Sequence, residues 1–304
     1  MRLFVGDENL LAHVILLFCS LHNSGAFCCK ISWYCVQENP HSVRFNMRFA
    51  SLGSGSKGNA LLIEAGTTRV LLDCGFGPRN LAQRCQRLGL EADALDAIII
   101  THEHSDHVGG ALSCARRYEA ALYMTQGTLA GVRRGVAETD ADGITLNLID
   151  SHTAFAVGDL LIQPFPVPHD AREPVQFVLS DGQSRLGVLT DLGVATPHVL
   201  ESLSACDALV LECNHDAAML AAGNYPPALK QRIGGRLGHL DNAAAADLLA
   251  QLDHGRLKHL IAAHLSEHNN TPALARRALA DVMGCAPEWI GVADQALGFA
   301  WREL

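Results

Sequence analysis

The stretch Thr101-His102-Glu103-His104-Ser105-Asp106-His107-Val108-Gly109-Gly110 constrains this chain more than any other. It follows Ala97-Ile98-Ile99-Ile100, an apolar run that reads as a buried strand. Three histidines and an aspartate within six residues, at the exit of a strand, form a dense set of metal ligands. His102 and His104 are two residues apart, so in extended backbone both imidazoles face the same side. Asp106 and His107 fall where the chain should turn into a helix over Val108 to Tyr118, and from there they can address a second ion. Imidazole and oxygen ligands together suit Zn, Mn or Fe rather than Ca.

Three further candidates each end an apolar run. Pro164-Phe165-Pro166-Val167-Pro168-His169-Asp170 delivers His169 from a stiff, proline-fixed segment. Arg185-Leu186-Gly187-Val188-Leu189-Thr190-Asp191 delivers Asp191, and His259-Leu260-Ile261-Ala262-Ala263-His264 delivers His264. Taken singly, an aspartate after a strand is a common helix cap, and a strand-end histidine is a common polar residue. Taken with the first motif they complete a two-metal set. Ala208 to Asp216 is a further strand that leaves Glu212, Asn214 and His215 near the same rim.

Around these candidates, short apolar strands alternate with turns and helices. Strands are expected over Met47 to Leu52, Ala60 to Ala65, Val70 to Gly75, Ala121 to Thr125 and Ile144 to Ile149. Phe155 to Gln163 reads as a hairpin turning at Gly158-Asp159. Helices are expected from Pro78 to about Leu88, from Gly127 to Arg134, from the Asp241-Asn242 cap through Leu252, and from Thr271-Pro272 to about Met283. Trp289 to Trp301 reads as closing strands. Hydrophobic residues make up 49% and charged residues 18% of 304, which is globular composition with ample apolar surface for a core.

The net charge of −9 argues against a protein that grips nucleic acid with its whole surface, but not against an active site whose cations are metals. Ten cysteines show no paired rhythm. Cys74, Cys85, Cys114, Cys206, Cys213 and Cys285 lie mostly in apolar segments, which points to buried free thiols, a reducing compartment and a cytoplasmic location. Residues 1–46 read differently from the rest. Leu10 to Cys19 is too short to span a bilayer comfortably, and Asp7 and Glu8 spoil it as a signal peptide. Cys19, Cys28, Cys29, Cys35, His22 and His41 match no zinc spacing. The expectation is a dispensable N-terminal extension, disordered or a misassigned start, followed by one functional domain over 47–304 with no membrane attachment.

Gly53, Gly55 and Gly58 match G-x-G-x-x-G, the dinucleotide fingerprint, which requires a helix to open at the last glycine. Ala60 to Ala65 follows instead and reads as a strand, so no nucleotide cofactor is expected. The glycines read as a tight turn near the site, with Lys57 free to meet an anionic substrate.

The His-x-His-x-Asp-His pattern, with Asp73, His169, Asp191 and His264 in order, resembles the metallo-β-lactamase superfamily over nearly all of 47–304. The resemblance implies an α/β fold, a four-layer αββα sandwich. It also implies that His102, His104 and His169 hold one divalent ion (Zn or Mn) and that Asp106, His107 and His264 hold another. Asp191 would bridge, and Asp73 would orient a ligand. An aspartate rather than a cysteine at 191 speaks against an antibiotic-cleaving enzyme. Gly238-His239-Leu240-Asp241-Asn242 and His264-Leu265-Ser266 resemble motifs of the nuclease branches. There is, however, no glycine-rich tRNA-gripping arm, and the Asp191–His264 interval is too short for a nuclease cap domain. With Leu52 to Asn59, Glu212 to Asp216 and His264 to Pro272, the chain looks most like the small YycJ/WalJ-type nuclease group. That implies a metal-dependent exonuclease acting 5′ to 3′ on duplex DNA.

Such a centre would use two ions about 3.5–4 Å apart to activate a hydroxide nucleophile and to neutralise phosphate charge. Asp106 is assigned a catalytic as well as a ligand role, and His239 is the candidate general acid for the leaving alkoxide. Arg172, Lys230, Arg232 and Arg236 are candidates for flanking phosphates. The rival reading is acyl hydrolysis of glyoxalase II or lactonase type on the same metals. Redox chemistry would need a flavin domain, and a non-catalytic module would be expected to have lost ligands. No residue pattern assigns an oligomeric state.

Overall fold

The computed structural model describes residues 46–133 and 143–304, and the backbone of 13–21 and 27–35. The chain divides into two units, Met1–Arg44 and Phe45–Leu304. In the first, strands β1 (His13–Leu21) and β2 (Phe27–Cys35) pair antiparallel. The side chains raised above as a zinc possibility, Cys19, Cys28, Cys29, Cys35, His22 and His41, lie outside the described ones, as does Arg134.

The second unit holds two seven-stranded sheets. The first contains β3 (Arg48–Gly53), β4 (Ala60–Ala65), β5 (Thr68–Leu72), β6 (Ala97–Ile99), β7 (Ala121–Thr125) and β8 (Leu146–Ile149). Between them run α1 (Pro78–Arg87), α2 (Ser105–Val108), α3 (Ala111–Tyr118) and α4 (Gln126–Val132). The second sheet contains β9 (Phe155–Val157), β10 (Leu160–Pro166), β11 (Val175–Ser180), β12 (Arg185–Leu189), β13 (Ala208–Glu212), β14 (His259–Ala263) and β15 (Gly291–Val292). Its helices are α5 (Pro197–Leu203), α6 (Ala217–Ala222), α7 (Pro227–Ile233), α8 (Asn242–Gln251) and α9 (Pro272–Met283). Strand β16 (Phe299–Glu303) returns to the first sheet beside β3.

Strand alternation explains the layering. Along β4, Leu61, Ile63 and Ala65 face a core between the sheets, where they share space with Phe49, Phe177, Val188 and Val210. Ala60 and Leu62 face outward, under Leu81 and Cys85 of α1 and Cys114 and Ala115 of α3. Along β13, Ala208 and Val210 point inward, while Leu209 and Leu211 meet Leu248, Leu249 and Leu279 of α8 and α9. A strand buried on both faces must be apolar on both, which is why these runs are nearly continuous. The result is the expected αββα sandwich. No helix among the described residues is long and apolar enough to cross a membrane.

Several elements differ from expectation. The helix expected over Val108 to Tyr118 is two helices, with Gly109-Gly110 between them. A Cβ on Gly110 would sit 1.9 Å from the Phe76 carbonyl, so glycine lets that backbone approach and the chain change direction. Strand β11 and helices α5, α6 and α7 carried no reading in the sequence. In the closing segment, only β15 and β16 are strands and Pro287–Trp289 is a 3-10 turn. The glycine loop leads from β3 straight into strand β4, as its context indicated.

Candidate metal centre

Strands β5, β6 and β7 run parallel, as do β12, β13 and β14. Their carboxyl ends form one rim, the place where open α/β sheets leave side chains free for chemistry. Asp73 follows β5, His102 follows β6, Asp191 follows β12, Glu212 ends β13 and His264 follows β14. Asp73 and His264 both have left-handed backbone, φ 60° and 55°, a strain tolerated where the surroundings fix it.

On the first half of the rim, Asp73 accepts the Thr101 N–H and O–H at 2.9 Å each, and the His107 Nδ1–H at 2.7 Å. With its hydroxyl proton given to Asp73, Thr101 Oγ1 is left to accept from His102 Nδ1 at 2.9 Å. Those bonds occupy Nδ1 of both rings, so Nε2 of His102 and of His107 faces the interior of the site. Across the rim, His169 donates Nδ1–H to the Gly238 carbonyl at 3.0 Å, which frees its Nε2 in the same way. His102 Nε2 and His169 Nε2 then converge on His104 Nδ1 at 3.0 and 3.2 Å. Three nitrogens brought together with two lone pairs facing inward is a donor set made for a cation.

A second set lies beside the first. Asp106 Oδ2 is 3.4 Å from both His107 Nε2 and His264 Nε2. Asp191 reaches both sets, with Oδ2 3.1 Å from His107 Nε2 and Oδ1 3.7 Å from His169 Nε2. Although His107 is so near, Asp191 Oδ2 is buried without a hydrogen bond. An orphaned, buried carboxylate oxygen is costly, and a divalent cation in these clusters satisfies it. The residues present therefore fit the group: His102, His104 and His169 for one ion, Asp106, His107 and His264 for another, Asp191 between.

Protonation follows the same division. Burial, reinforced by the neighbouring His107, pulls His102 well down, and burial pulls His169 down, so both are neutral bases. As bare side chains, His107 and His264 behave oppositely. Burial opposes their charge, but Asp191 and Asp73 drive His107 well up, and Asp191, Asp106 and Glu212 push His264 to about 10. Asp106 and Asp191 are held below the usual carboxylate range because these imidazoles outweigh the effect of burial. A cation held by these residues would take the place of the protons on His107 and His264.

Glu212 is the residue whose part the sequence did not disclose. Fully buried, it accepts the N–H groups of Leu192 and Leu240 on Oε2 at 2.9 and 3.0 Å. On Oε1 it holds His239 Nδ1 at 2.7 Å and His264 Nδ1 at 3.3 Å. Its lone pairs are taken, so it orients two imidazoles and is not itself a ligand. Burial resists ionisation of this carboxyl, and the His239 charge outweighs it and holds the pKa down. Reciprocally, burial opposes the His239 charge, while Glu212 and Asp191 hold its pKa up. Asn59 was also missed. Its side-chain amide lies 3.2 Å from Asp106 Oδ2, and its N–H donates to the Asp106 carbonyl at 2.7 Å, tying the glycine loop to α2. Asp170, next in chain to His169, lies 3.6 Å from His104 Nε2.

The structure brings His102, His104, Asp106, His107, His169, Asp191, His239 and His264 together. It does not leave Lys57 free, because Lys57 Nζ pairs with Glu267 at 2.6 Å. Arg232 is committed to Asp170 at 2.6 Å and Lys230 to the Ala221 carbonyl at 2.6 Å, while Arg172 and Arg236 are exposed. Spacing alone could not reveal these partners, which arrive from distant loops.

Residues 68–264 match the family model of the β-lactamase superfamily domain. The chain is 31% identical over 237 residues to the exodeoxyribonuclease YycJ of Bacillus anthracis, an alignment that covers 78% of this chain and 89% of that protein. It is 30% identical over 245 residues to the exodeoxyribonuclease WalJ of Streptococcus pneumoniae, covering 81% and 91%. Among solved structures, the metallo-β-lactamase fold protein YhfI from Bacillus subtilis superposes with a TM-score of 0.65 at 16% identity, over 85% of this chain and 99% of that one.

Proposed function

The chain belongs to the metallo-β-lactamase superfamily, in its YycJ/WalJ-type group, and is a metal-dependent hydrolase; from that premise we propose that it is a dinuclear exonuclease that degrades duplex DNA from the 5′ end. The observation that carries the phosphodiester reading is the Glu212–His239 pair, 2.7 Å apart, beside the carboxylate shared by both ligand sets.

When bound, the two metals (Zn or Mn) supply Lewis-acid charge to a phosphate oxygen and lower the pKa of water. The chain's own groups do the rest. His102, His104, Asp106, His107, His169, Asp191 and His264 would hold the charge in place, and Thr101, Asp73 and Gly238 fix which ring nitrogen His102, His107 and His169 present. Glu212 keeps the His239 Nδ1–H occupied, so the proton available to a leaving alkoxide sits on Nε2. A phosphodiester needs that proton more than a thioester or lactone does. Asp106, held by Asn59, positions the second set. Residues 1–46 are proposed to lie outside the functional domain, 47–304, and buried free thiols at five of the six described cysteines support a cytoplasmic setting.

The test is digestion of duplex DNA labelled at either end, with Mn²⁺ or Zn²⁺, by the full chain, the 47–304 fragment, Asp106→Ala and His239→Ala. Early loss of 5′ label that both substitutions suppress, and that the fragment retains, is the expected result. Intact DNA with turnover of a thioester or lactone in parallel wells moves the protein to the acyl-hydrolase branch.

A further inference from the structure

We propose that the groove along α1 and α3 is a second, non-catalytic seat for the phosphate backbone of the duplex, beyond the metal centre; the proposal rests on the nuclease reading. The chain carries 32 Asp and Glu against 23 Lys and Arg, so a polyanion approaching it is repelled unless cations are gathered locally. They are gathered here. The sequences of α1 and α3, Pro-Arg-Asn-Leu-Ala-Gln-Arg-Cys-Gln-Arg and Ala-Leu-Ser-Cys-Ala-Arg-Arg-Tyr, hold five arginines and no acid.

Helical geometry puts the three of α1 on one face. At 100° per residue, Arg79, Asn80, Gln83, Arg84 and Arg87 fall within an arc of about 140°, opposite the buried Leu81 and Cys85. The Tyr118 hydroxyl donates to the Pro78 carbonyl at 2.7 Å, bringing the end of α3 to the start of α1. Arg117 thereby lines one cleft with Arg79 and Asn80, and that cleft continues through Asn80 into a second lined by Gln83, Arg84 and Arg87. Arg79 to Arg87 spans about 12 Å of helix axis. That covers several phosphates of a strand that advances about 3.4 Å per nucleotide.

Among the described residues, Arg79, Arg84, Arg87 and Arg117 form no salt bridge. Arg84 donates to the carbonyls of Leu52 and Ala296, and Arg87 to the same two oxygens at 3.3 and 3.1 Å, so both guanidinium groups rest on uncharged acceptors. Nearby Asp294 accepts the N–H groups of Ala296 and Leu297 on Oδ1, and its charge acts on Arg84 without a direct ion pair. Arg79 and Arg117 are exposed, and among the described residues no carboxylate pairs with either. The groove also lies on the right edge of the fold. Helix α1 follows β5, whose carboxyl end carries Asp73, so it opens on the rim that holds the ligands. Four residues separate Asp73 from Pro78, so five Cα–Cα steps span at most about 17 Å if fully extended. A duplex whose end is in the metal centre can therefore lay a strand along α1. The contacts are to backbone, which position without reading sequence.

The experiment is fluorescence anisotropy with the metal-loaded full chain and a short blunt duplex carrying hydrolysis-resistant phosphorothioate linkages, titrated at several salt concentrations. Wild type is compared with Arg79→Glu/Arg117→Glu and with Arg79→Lys/Arg117→Lys. Arg84 and Arg87 are left alone because they also bind the carbonyls beneath them. The charge-reversed variant is expected to raise Kd at least tenfold and to flatten the salt dependence, by roughly 0.9 in log–log slope for each phosphate that is no longer neutralised. The lysine variant should keep most of both. Hydrolysis of bis(p-nitrophenyl) phosphate, too small to reach the groove, should be unchanged and shows that the variants are folded. Unmoved or absent duplex binding overturns the groove, whether or not DNA is cut. So does wild-type binding to phosphatidylglycerol vesicles without binding to duplex. Failure of wild type to degrade ordinary DNA overturns the nuclease reading separately, since it is read from a different assay.

Discussion

The half of the centre built on β3–β8 draws its candidate ligands from one short stretch, His102 to His107, oriented by Asp73 and Thr101. The half built on β9–β15 gathers His169, Asp191, His239 and His264 from separate loops, with His239 and His264 fastened by one buried carboxylate, Glu212, and His169 by the Gly238 carbonyl. The first half is nearly complete within a strand, a turn and a helix. The second exists only once β12, β13 and β14 lie side by side. Asp191 is where they meet, since its oxygens approach His107 of the first half and His169 and His264 of the second. Asp191 therefore puts side chains from the rims of both sheets in contact.

The sharpest way to break this division is at the residue that belongs to both halves. Asp191→Asn keeps the shape but removes the charge, and turnover is expected to fall by at least about 10³-fold, several kcal/mol of transition-state charge stabilisation. Bound metal measured by mass spectrometry should fall with it. Full metal content in this variant would mean that the halves bind independently.

A smaller effect separates the two orienting carboxylates. Asp73→Asn and Glu212→Gln should each weaken metal binding about 10–100-fold, the usual cost of losing a partner behind a ligand. Only Glu212→Gln should also move the alkaline limb of the pH–rate profile. Glu212 holds the His239 pKa up, so without its charge His239 loses its proton at lower pH and the limb shifts to lower pH. An unshifted limb would remove His239 from the role of acid.

The smallest effect concerns the end of β4 away from the rim. Glu64 is bound by Arg48 at 2.7 Å and Arg69 at 2.6 Å. Burial opposes its ionisation, but Arg69 and Arg48 outweigh it and hold the pKa below the ordinary value. The sign follows directly: the stabilisation is present above the unfolded-state pKa and is lost as pH falls through the folded one. Glu64→Gln should cost about 1 kcal/mol at neutral pH, and its thermal midpoint should converge with wild type in acid. Metal content should stay unchanged, which would separate the stability of the first sheet from the chemistry at its edge.

How much could be read in advance follows the same line. Strand alternation and strand-end histidines were visible because apolar periodicity and ligand type are local properties. Asp241, Thr271 and Pro272 announced α8 and α9 for the same reason. Helix α7 gave no signal because none of its residues is buried, so it has no apolar stripe to betray it. Lys57 looked available until Glu267 arrived from a loop far along the chain. Glu212 sat in a recognisable motif, yet its task depends on two backbone amides and two imidazoles drawn from three other places.

By itself the sequence picked out the candidate metal ligands and placed His102, Asp191 and His264 just beyond the ends of apolar strands. Side-chain chemistry and the two-residue repeat of a strand require nothing beyond neighbouring residues. Only the tertiary structure decided which nitrogen each imidazole presents, that Asp191 faces both ligand sets, that Glu212 is an orienter, and that α1 and α3 join their arginines into one groove. Those outcomes depend on packing between elements far apart in the chain, and local sequence does not encode which distant carbonyl, amide or carboxylate will arrive beside a given atom.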